Sequence, residues 1–183
     1  MKPRIAIFGG SQAVSGDYAY EQGLLLGKKF GLMGLTVLTG GYIGLMEAVS
    51  RGAAEGGGHV IGVTCTEIES WRPVNPNPWV QEELRCTTLL QRLITLISES
   101  DAAIALPGGP GTLTEVALTW NMMIIKSIAP RPLILVGPEW QAFFHMFYEK
   151  LGGYIPKDQR ELLSFAPDAD AAFTLLLKKL NLS

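Results

Sequence analysis

Residues able to bind metals or cycle redox states are scarce in this chain: two cysteines and two histidines among 183 residues. Cys65 and Cys86 are too far apart for a CxxC motif, and His59 and His145 are isolated, so no pair has ligand spacing. No metal site is expected, and the cysteines read as small apolar residues in a reducing compartment. Charge is scarce too. Charged residues make up 17% of the chain and the net charge is −2, with no basic run to mark a nucleic-acid footprint. No apolar run reaches the roughly 18–20 residues of a membrane helix. Met1-Lys2-Pro3-Arg4-Ile5 leads directly into a strand pattern, without a signal peptide's apolar stretch or cleavage site, which points to the cytoplasm. Neither nucleic acid nor membrane is an expected partner.

Apolar residues and glycine are plentiful. Hydrophobic residues reach 48%, with 21 glycines and a mean hydropathy of +0.23. Residues 1–183 are expected to form one domain with a sheet covered on both faces, and an oligomer that hides further apolar surface. Short apolar strands are read at 5–8, 36–39, 59–63, 102–106 and 132–136. Helical spacing is read at 17–33, 45–54, 89–99, 113–125, 139–150 and 170–180. Asp17 is a candidate N-cap and Gly34 a candidate stop. Residues 66–84, rich in proline, read as a loop that wraps over a site or a neighbouring subunit, with Trp71 and Trp79 seeking burial. Strands alternating with helices, each strand apolar throughout, predict an α/β fold: a Rossmann-like, doubly wound parallel sheet with helices on both faces.

On such sheets ligands bind at the carboxyl ends of the strands, near the switch point. Three of these ends carry glycine turns, at 9–11, 40–44 and 108–111. Residues 107–115, Pro-Gly-Gly-Pro-Gly-Thr-Leu-Thr-Glu, follow a strand and open a helix, the geometry that presents unpaired N–H groups and a positive dipole end to an anion. The candidate phosphate- and nucleotide-binding residues are Gly10, Ser11, Gly40, Gly41, Gly44, Pro107, Gly108, Gly109, Gly111 and Thr112. No turn matches the dinucleotide fingerprint and no Walker lysine follows 108–111, which disfavours NAD binding and ATP hydrolysis.

Glu115 is unexpected in that setting, because a carboxylate one turn into an anion-binding helix repels phosphate. Either it faces another part of the ligand and does chemistry there, or it complements the helix dipole or closes a capping box with Thr112. Arg92 poses a similar choice. It sits among Leu89, Leu90, Leu93 and Ile94 and either finds an anion or lies solvated beside Gln91 and Glu99.

The chain resembles the LONELY GUY family, historically mislabelled as lysine decarboxylases. The hallmark P-G-G-x-G-T-x-x-E is matched at Pro107 to Glu115, and the turn G-G-x-x-G-L-M at Gly40 to Met46. An arginine fifteen residues before the motif proline is matched by Arg92. The similarity runs from Ile5 to about Tyr148. The resemblance implies a Rossmann-type homodimer, or a higher homo-oligomer, that hydrolyses the N-glycosidic bond of a nucleoside 5′-monophosphate, with a purine as base. It implies that Gly109, Gly111 and Thr112 hold the 5′-phosphate and that Glu115 and Arg92 act catalytically at the sugar, with no metal and no cofactor. A pyridoxal lysine decarboxylase is not expected: Lys126 alone lies near the motifs, at the far end of its helix.

The chain departs from the family's characterised enzymes at two positions. They carry a histidine two residues before the arginine and a lysine directly after it, where this chain has Leu90 and Leu93. These leucines would dry the arginine's surroundings. The runs 47–53 and 113–118 look equally like a molybdenum-cofactor carrier branch, which implies an alternative: a non-catalytic carrier or sensor of a phosphorylated nucleotide or pterin. Residues 120–125 are the expected dimer surface. Glu83 and Arg85 are candidate base contacts or plain surface charge, and loops 12–18 and 66–88 are the expected source of base recognition.

Overall fold

The computed structural model describes residues 2–182. At its centre are seven parallel strands: β1 Arg4–Phe8, β2 Thr36–Thr39, β3 His59–Cys65, β4 Glu82–Cys86, β5 Ala102–Ala105, β6 Leu133–Val136 and β7 Leu163–Ala166. Their order across the sheet is β4-β3-β2-β1-β5-β6-β7. The helices are α1 Tyr18–Leu32, α2 Leu45–Glu55, α3 Thr66–Trp71, α4 Leu89–Ser98, α5 Pro110–Ile124, α6 Pro138–Leu151, α7 Lys157–Arg160 and α8 Ala169–Leu180. The doubly wound α/β architecture expected from the alternation of strands and helices is the one observed.

Strand residues alternate between two cores, as the two-residue period of a strand requires. Ile5, Ile7, Val37, Val60, Ile104 and Ile134 face Leu26, Phe30, Val49 and Leu176 of α1, α2 and α8. Ala6, Phe8, Leu38, Ile61, Ala103 and Leu135 face Leu96, Val116, Trp120 and Phe144 of α4, α5 and α6. Both faces of each central strand are therefore buried, which is why these strands read as continuous apolar runs. Helices α1 and α2 approach so closely that a methyl group on Gly27 would overlap the Val49 carbonyl, and one on Gly52 the Leu24 carbonyl.

The chain steps outward from β1 through β2 and β3 to β4, then returns to place β5 on the other side of β1. The switch point thus falls between β1 and β5. Among the described residues, no helix is long and apolar enough to cross a membrane.

Several elements differ from the sequence-based expectation. The stretch 66–84 is not wholly loop: α3 occupies its start and β4 begins at Glu82. β4 is an edge strand, mostly exposed, so Glu82-Glu83-Leu84-Arg85 shows none of the apolar continuity of the central strands. β7 closes the other edge and was likewise unread, and α5 starts at Pro110 rather than Leu113 because proline suits the first helical position. Residues 120–125 are not a free surface. Trp120 and Met123 are buried within the chain, where Trp120 meets Phe144 edge-on, and only Ile125 of that stretch is a well-exposed large apolar residue. Among the described residues, the apolar face left uncovered on the α4 side belongs to Leu89, Leu90 and Ile94.

Candidate active site

Backbone hydrogen bonds lace the loops after β1, β2 and β5 together. Gly10 N–H donates to the Pro107 carbonyl at 3.0 Å, and Leu45 N–H donates to the Gly10 carbonyl at 2.9 Å. Above this seam lies a cavity of about 720 Å3 that reaches from the α5 N-terminus to α3. Gly10, Ser11, Pro107, Gly108, Gly109, Gly111, Thr112, Arg92 and Glu115 all line it, so the structure brings together most of the residues singled out from the sequence.

The turn at 108–111 leaves backbone open at the cavity wall. The N–H groups of Gly111 and Thr112 lie in the first turn of α5, where no earlier helical carbonyl exists to accept them. The Thr112 side chain occupies the space where a Gly108 Cβ would sit, so that glycine is demanded by packing. Gly109 and Gly111 are different. A Cβ at either would meet nothing within 4 Å, so the protein itself gives no reason for glycine there. Close approach of something outside the chain does give one.

Gly40, Gly41 and Gly44 are not on the cavity wall. A Cβ on Gly40 would overlap the Arg92 guanidinium, and one on Gly44 would press on the backbone of Gly10 and Ser11 at 2.6 Å. Gly41 has φ near +80°, which a glycine adopts freely. What this turn presents to the cavity is Tyr42, Leu45 and Met46, none of which the glycine pattern advertises. The turn is braced from behind by Asn77, buried in the proline-rich loop. Its side-chain amide donates to the carbonyls of Gly41 at 3.1 Å and Tyr42 at 2.9 Å.

Arg92 is not solvated; only 6% of it is exposed. Thr88 caps α4 by accepting the Gln91 N–H, and the helix then carries Arg92 inward. Nε donates to the Val63 carbonyl at 2.8 Å and Nη2 to the Gly40 carbonyl at 3.0 Å. The guanidinium also lies 5.7 Å from the centre of the Tyr42 ring, a cation–π contact. Nη1 stands 3.9 Å from Glu115 Oε1. The two leucines beside it have other roles: Leu90 is exposed and Leu93 is buried away from the cavity, while Leu89 is the leucine that lines it.

Glu115 is 8% exposed and closes no capping box, since Gly109 is the N-cap and Glu115 lies in the second turn of α5. Burial pushes its carboxyl up to about 7, and the Arg92 guanidinium offsets only part of that. A carboxyl poised near neutrality in a cavity can take or give a proton at physiological pH. Among the described residues it is the sole carboxylate on the cavity wall, and no lysine lines the wall to form a Schiff base. Lys126 lies just past the far end of α5.

Neither histidine reaches the cavity: His59 pairs with Glu82 at 2.8 Å on the edge of the sheet, and His145 is exposed on α6. Both cysteines are free and buried. Among the described residues, no three His, Cys, Asp or Glu side chains converge. Glu83 accepts from Thr64 at 2.5 Å and from Arg85 at 3.3 Å, and Arg85 also pairs with Glu69. Neither lines the cavity. The expected recognition loops reach the cavity through Gln12 and Ala13 of one and Ile68, Trp71 and Arg72 of the other. Trp79 packs by Arg51, 5.9 Å from the guanidinium, away from that wall.

A family model described as a possible lysine decarboxylase matches residues 46–176, well over half of the chain. A cytokinin riboside 5′-monophosphate phosphoribohydrolase of Arabidopsis thaliana is 34% identical over 97% of this chain and 82% of its own length. The chain belongs to the LONELY GUY family. A probable phosphoribohydrolase of the same description from Oryza sativa subsp. japonica is 32% identical over 91% of this chain and 74% of its own. Solved structures of cofactor-binding proteins share the fold. The molybdenum cofactor binding protein of Rippkaea orientalis superposes with a TM-score of 0.77 at 25% identity, covering 98% of both chains. The Moco carrier protein of Chlamydomonas reinhardtii gives 0.73 at 27% identity over 100% of both.

Proposed function

We propose that this protein hydrolyses the N-glycosidic bond of a purine nucleoside 5′-monophosphate, releasing the free base and ribose 5-phosphate. The observation that carries the reading is the buried Glu115 carboxyl, poised near neutrality one turn beyond an anion-binding helix start. The 5′-phosphate sits against the N–H groups of Gly111 and Thr112, whose dipole end favours it. This holds the sugar over Glu115 and Arg92.

Breaking the bond between C1′ and the base nitrogen leaves its electron pair on the base and positive charge on the sugar ring. The Glu115 carboxylate stabilises that charge and accepts a proton from the attacking water as the new C1′–O bond forms. The departing base takes up a proton from solvent and leaves, and Glu115 returns to solvent the proton it accepted from the water, which regenerates the carboxylate. Arg92, tethered to two backbone carbonyls, fixes the position of Glu115 and of the ribose hydroxyls. The chemistry draws on side chains alone. A free cytoplasmic nucleotide suits this cavity. A homodimer joined through Leu90 and Ile94 would cover the exposed face of α4 and leave Leu89 to the cavity.

The test is direct. Purified protein is incubated with purine nucleoside monophosphates, free base is followed by chromatography, and Glu115→Gln is run alongside. Base release that disappears in the variant supports the reading; release that survives removes Glu115 from it.

A second reading is favoured by the cofactor-binding relatives, whose whole length this chain matches. It is a carrier or sensor that holds a phosphorylated nucleotide or pterin in the same cradle without turnover. Stoichiometric binding with no base release distinguishes it.

A further inference from the structure

Trp71 is 80% exposed, yet it stands on the cavity wall. An indole left in water forgoes most of the benefit of burying it, so the position asks for an occupant. Beside it lies Arg72, whose guanidinium is 5.9 Å from the indole ring centre. Its Nε is buried without a hydrogen-bond partner, and among the described residues no carboxylate pairs with the group. The neighbouring acid, Glu69, is committed to Arg85 and Tyr42. With Ile68 and Leu89, these residues make an apolar end of the cavity with a single unsatisfied cation.

That end lies far from the phosphate cradle. α3 follows β3, and three strand spacings separate β3 from β5, where the cradle stands. At about 4.8 Å per spacing this is roughly 14 Å. The distance suits the ring of a nucleotide whose phosphate is at Gly111, not a second phosphate contact. Near the ring the wall offers an aromatic face and, from Arg72, hydrogen-bond donors without an acceptor.

We infer that Trp71 and Arg72 form the ring subsite, with the indole stacking on the base and the guanidinium donating to a six-oxo purine, as in guanine or hypoxanthine. The inference rests on the nucleotide reading above. Guanine and hypoxanthine present two adjacent acceptors, O6 and N7, which match a guanidinium fork. Adenine puts an amino donor in place of O6 and meets Arg72 with a repulsive pair. The subsite therefore selects against the amino purine as well as for the oxo one.

The experiment is calorimetric titration of GMP, IMP and AMP into the full chain carrying Glu115→Gln, which prevents turnover, with and without Trp71→Ala or Arg72→Gln. GMP and IMP are expected to bind roughly ten-fold more tightly than AMP. Arg72→Gln is expected to bring that ratio close to one, and Trp71→Ala to weaken all three by about ten-fold. Equal or tighter binding of AMP, a preference that survives Arg72→Gln, or an unchanged affinity in Trp71→Ala overturns the assignment. If no nucleotide binds, this inference and the nucleotide reading fall together. If the preference is found but the unsubstituted protein releases no base, only the hydrolytic reading falls.

Discussion

The Arg92 guanidinium and the Glu115 carboxylate stand 3.9 Å apart, close enough to attract but too far to share a hydrogen bond. Arg92 spends its donors on the carbonyls of Val63 and Gly40 instead. The carboxylate is left partly compensated, and burial holds its proton affinity near neutrality. A tight bidentate pair would lower that affinity and make Glu115 a poor base.

Activity should show this as an acid limb. If the ionised carboxylate is the working form, kcat/KM for base release falls as pH drops through about 7. A pH profile whose acid limb lies near 4.5, or is missing, would assign the limb to another group.

Stability should move the opposite way. The carboxyl holds its proton to higher pH in the folded chain than in the unfolded one, from 4.5 to about 7. Folding is therefore favoured below pH 4.5 and loses that contribution as pH rises through about 7, by something on the order of 3 kcal/mol. Glu115→Gln is thus expected to be inactive yet more stable than the unsubstituted protein at pH 8, with the gain vanishing near pH 4.5. Urea denaturation at the two pH values measures it, and a variant less stable at pH 8 contradicts it.

Gly111→Ala separates binding from folding. The new methyl meets nothing within 4 Å, so the melting temperature should stay within a few degrees of the original. Phosphate at the helix start would be displaced, and KM for the nucleotide should rise roughly ten-fold or more. Unchanged KM would move the phosphate elsewhere.

Gly40→Ala acts on Arg92 from behind. Its methyl claims the volume of the guanidinium, so Arg92 must leave the Gly40 carbonyl. A fall in kcat of about a hundred-fold is expected, with secondary structure retained by circular dichroism. Full activity would show that Arg92 is not held by that contact during turnover.

Gly27→Ala tests the scaffold alone. The methyl collides with the Val49 carbonyl of α2, and prising the helices apart should cost about 1–3 kcal/mol in chemical denaturation. A neutral result would show that the helix pair is looser than described.

Much of this was legible from the residues. The central strands could be read because burial on both faces makes them apolar throughout, as in Ala102 to Leu106. The edge strand at Glu82–Cys86 could not, because one side of it meets water and its composition looks like a loop. The glycines at 108–111, read from the sequence as a turn at the end of a strand, do line the cavity. Those at 40–44 look identical in sequence, yet they make room for Arg92 and for the backbone of Gly10 and Ser11. Glycine marks a close approach but does not say what approaches. Arg92 and Glu115 were recognisable from spacing, and Trp71 from a proline-rich loop expected to wrap over a site, whereas Tyr42 and Asn77 owe their places to long-range packing that no local pattern carries.

The two ends of the cavity differ in how they are held. The end proposed to hold the phosphate is stitched by main-chain bonds from Gly10 to Pro107 and from Leu45 to Gly10, which need no particular side chains beyond room for them. The α3 end consists of side chains, Ile68 and Trp71 from a six-residue helix, Arg72 just past it and Leu89 from α4, with Trp71 largely in solvent. Exchanging residues 68–72 should therefore change which molecule is held while leaving the grip on its phosphate intact. One scaffold can in this way serve a series of ligands that share a phosphate and differ in everything beyond it.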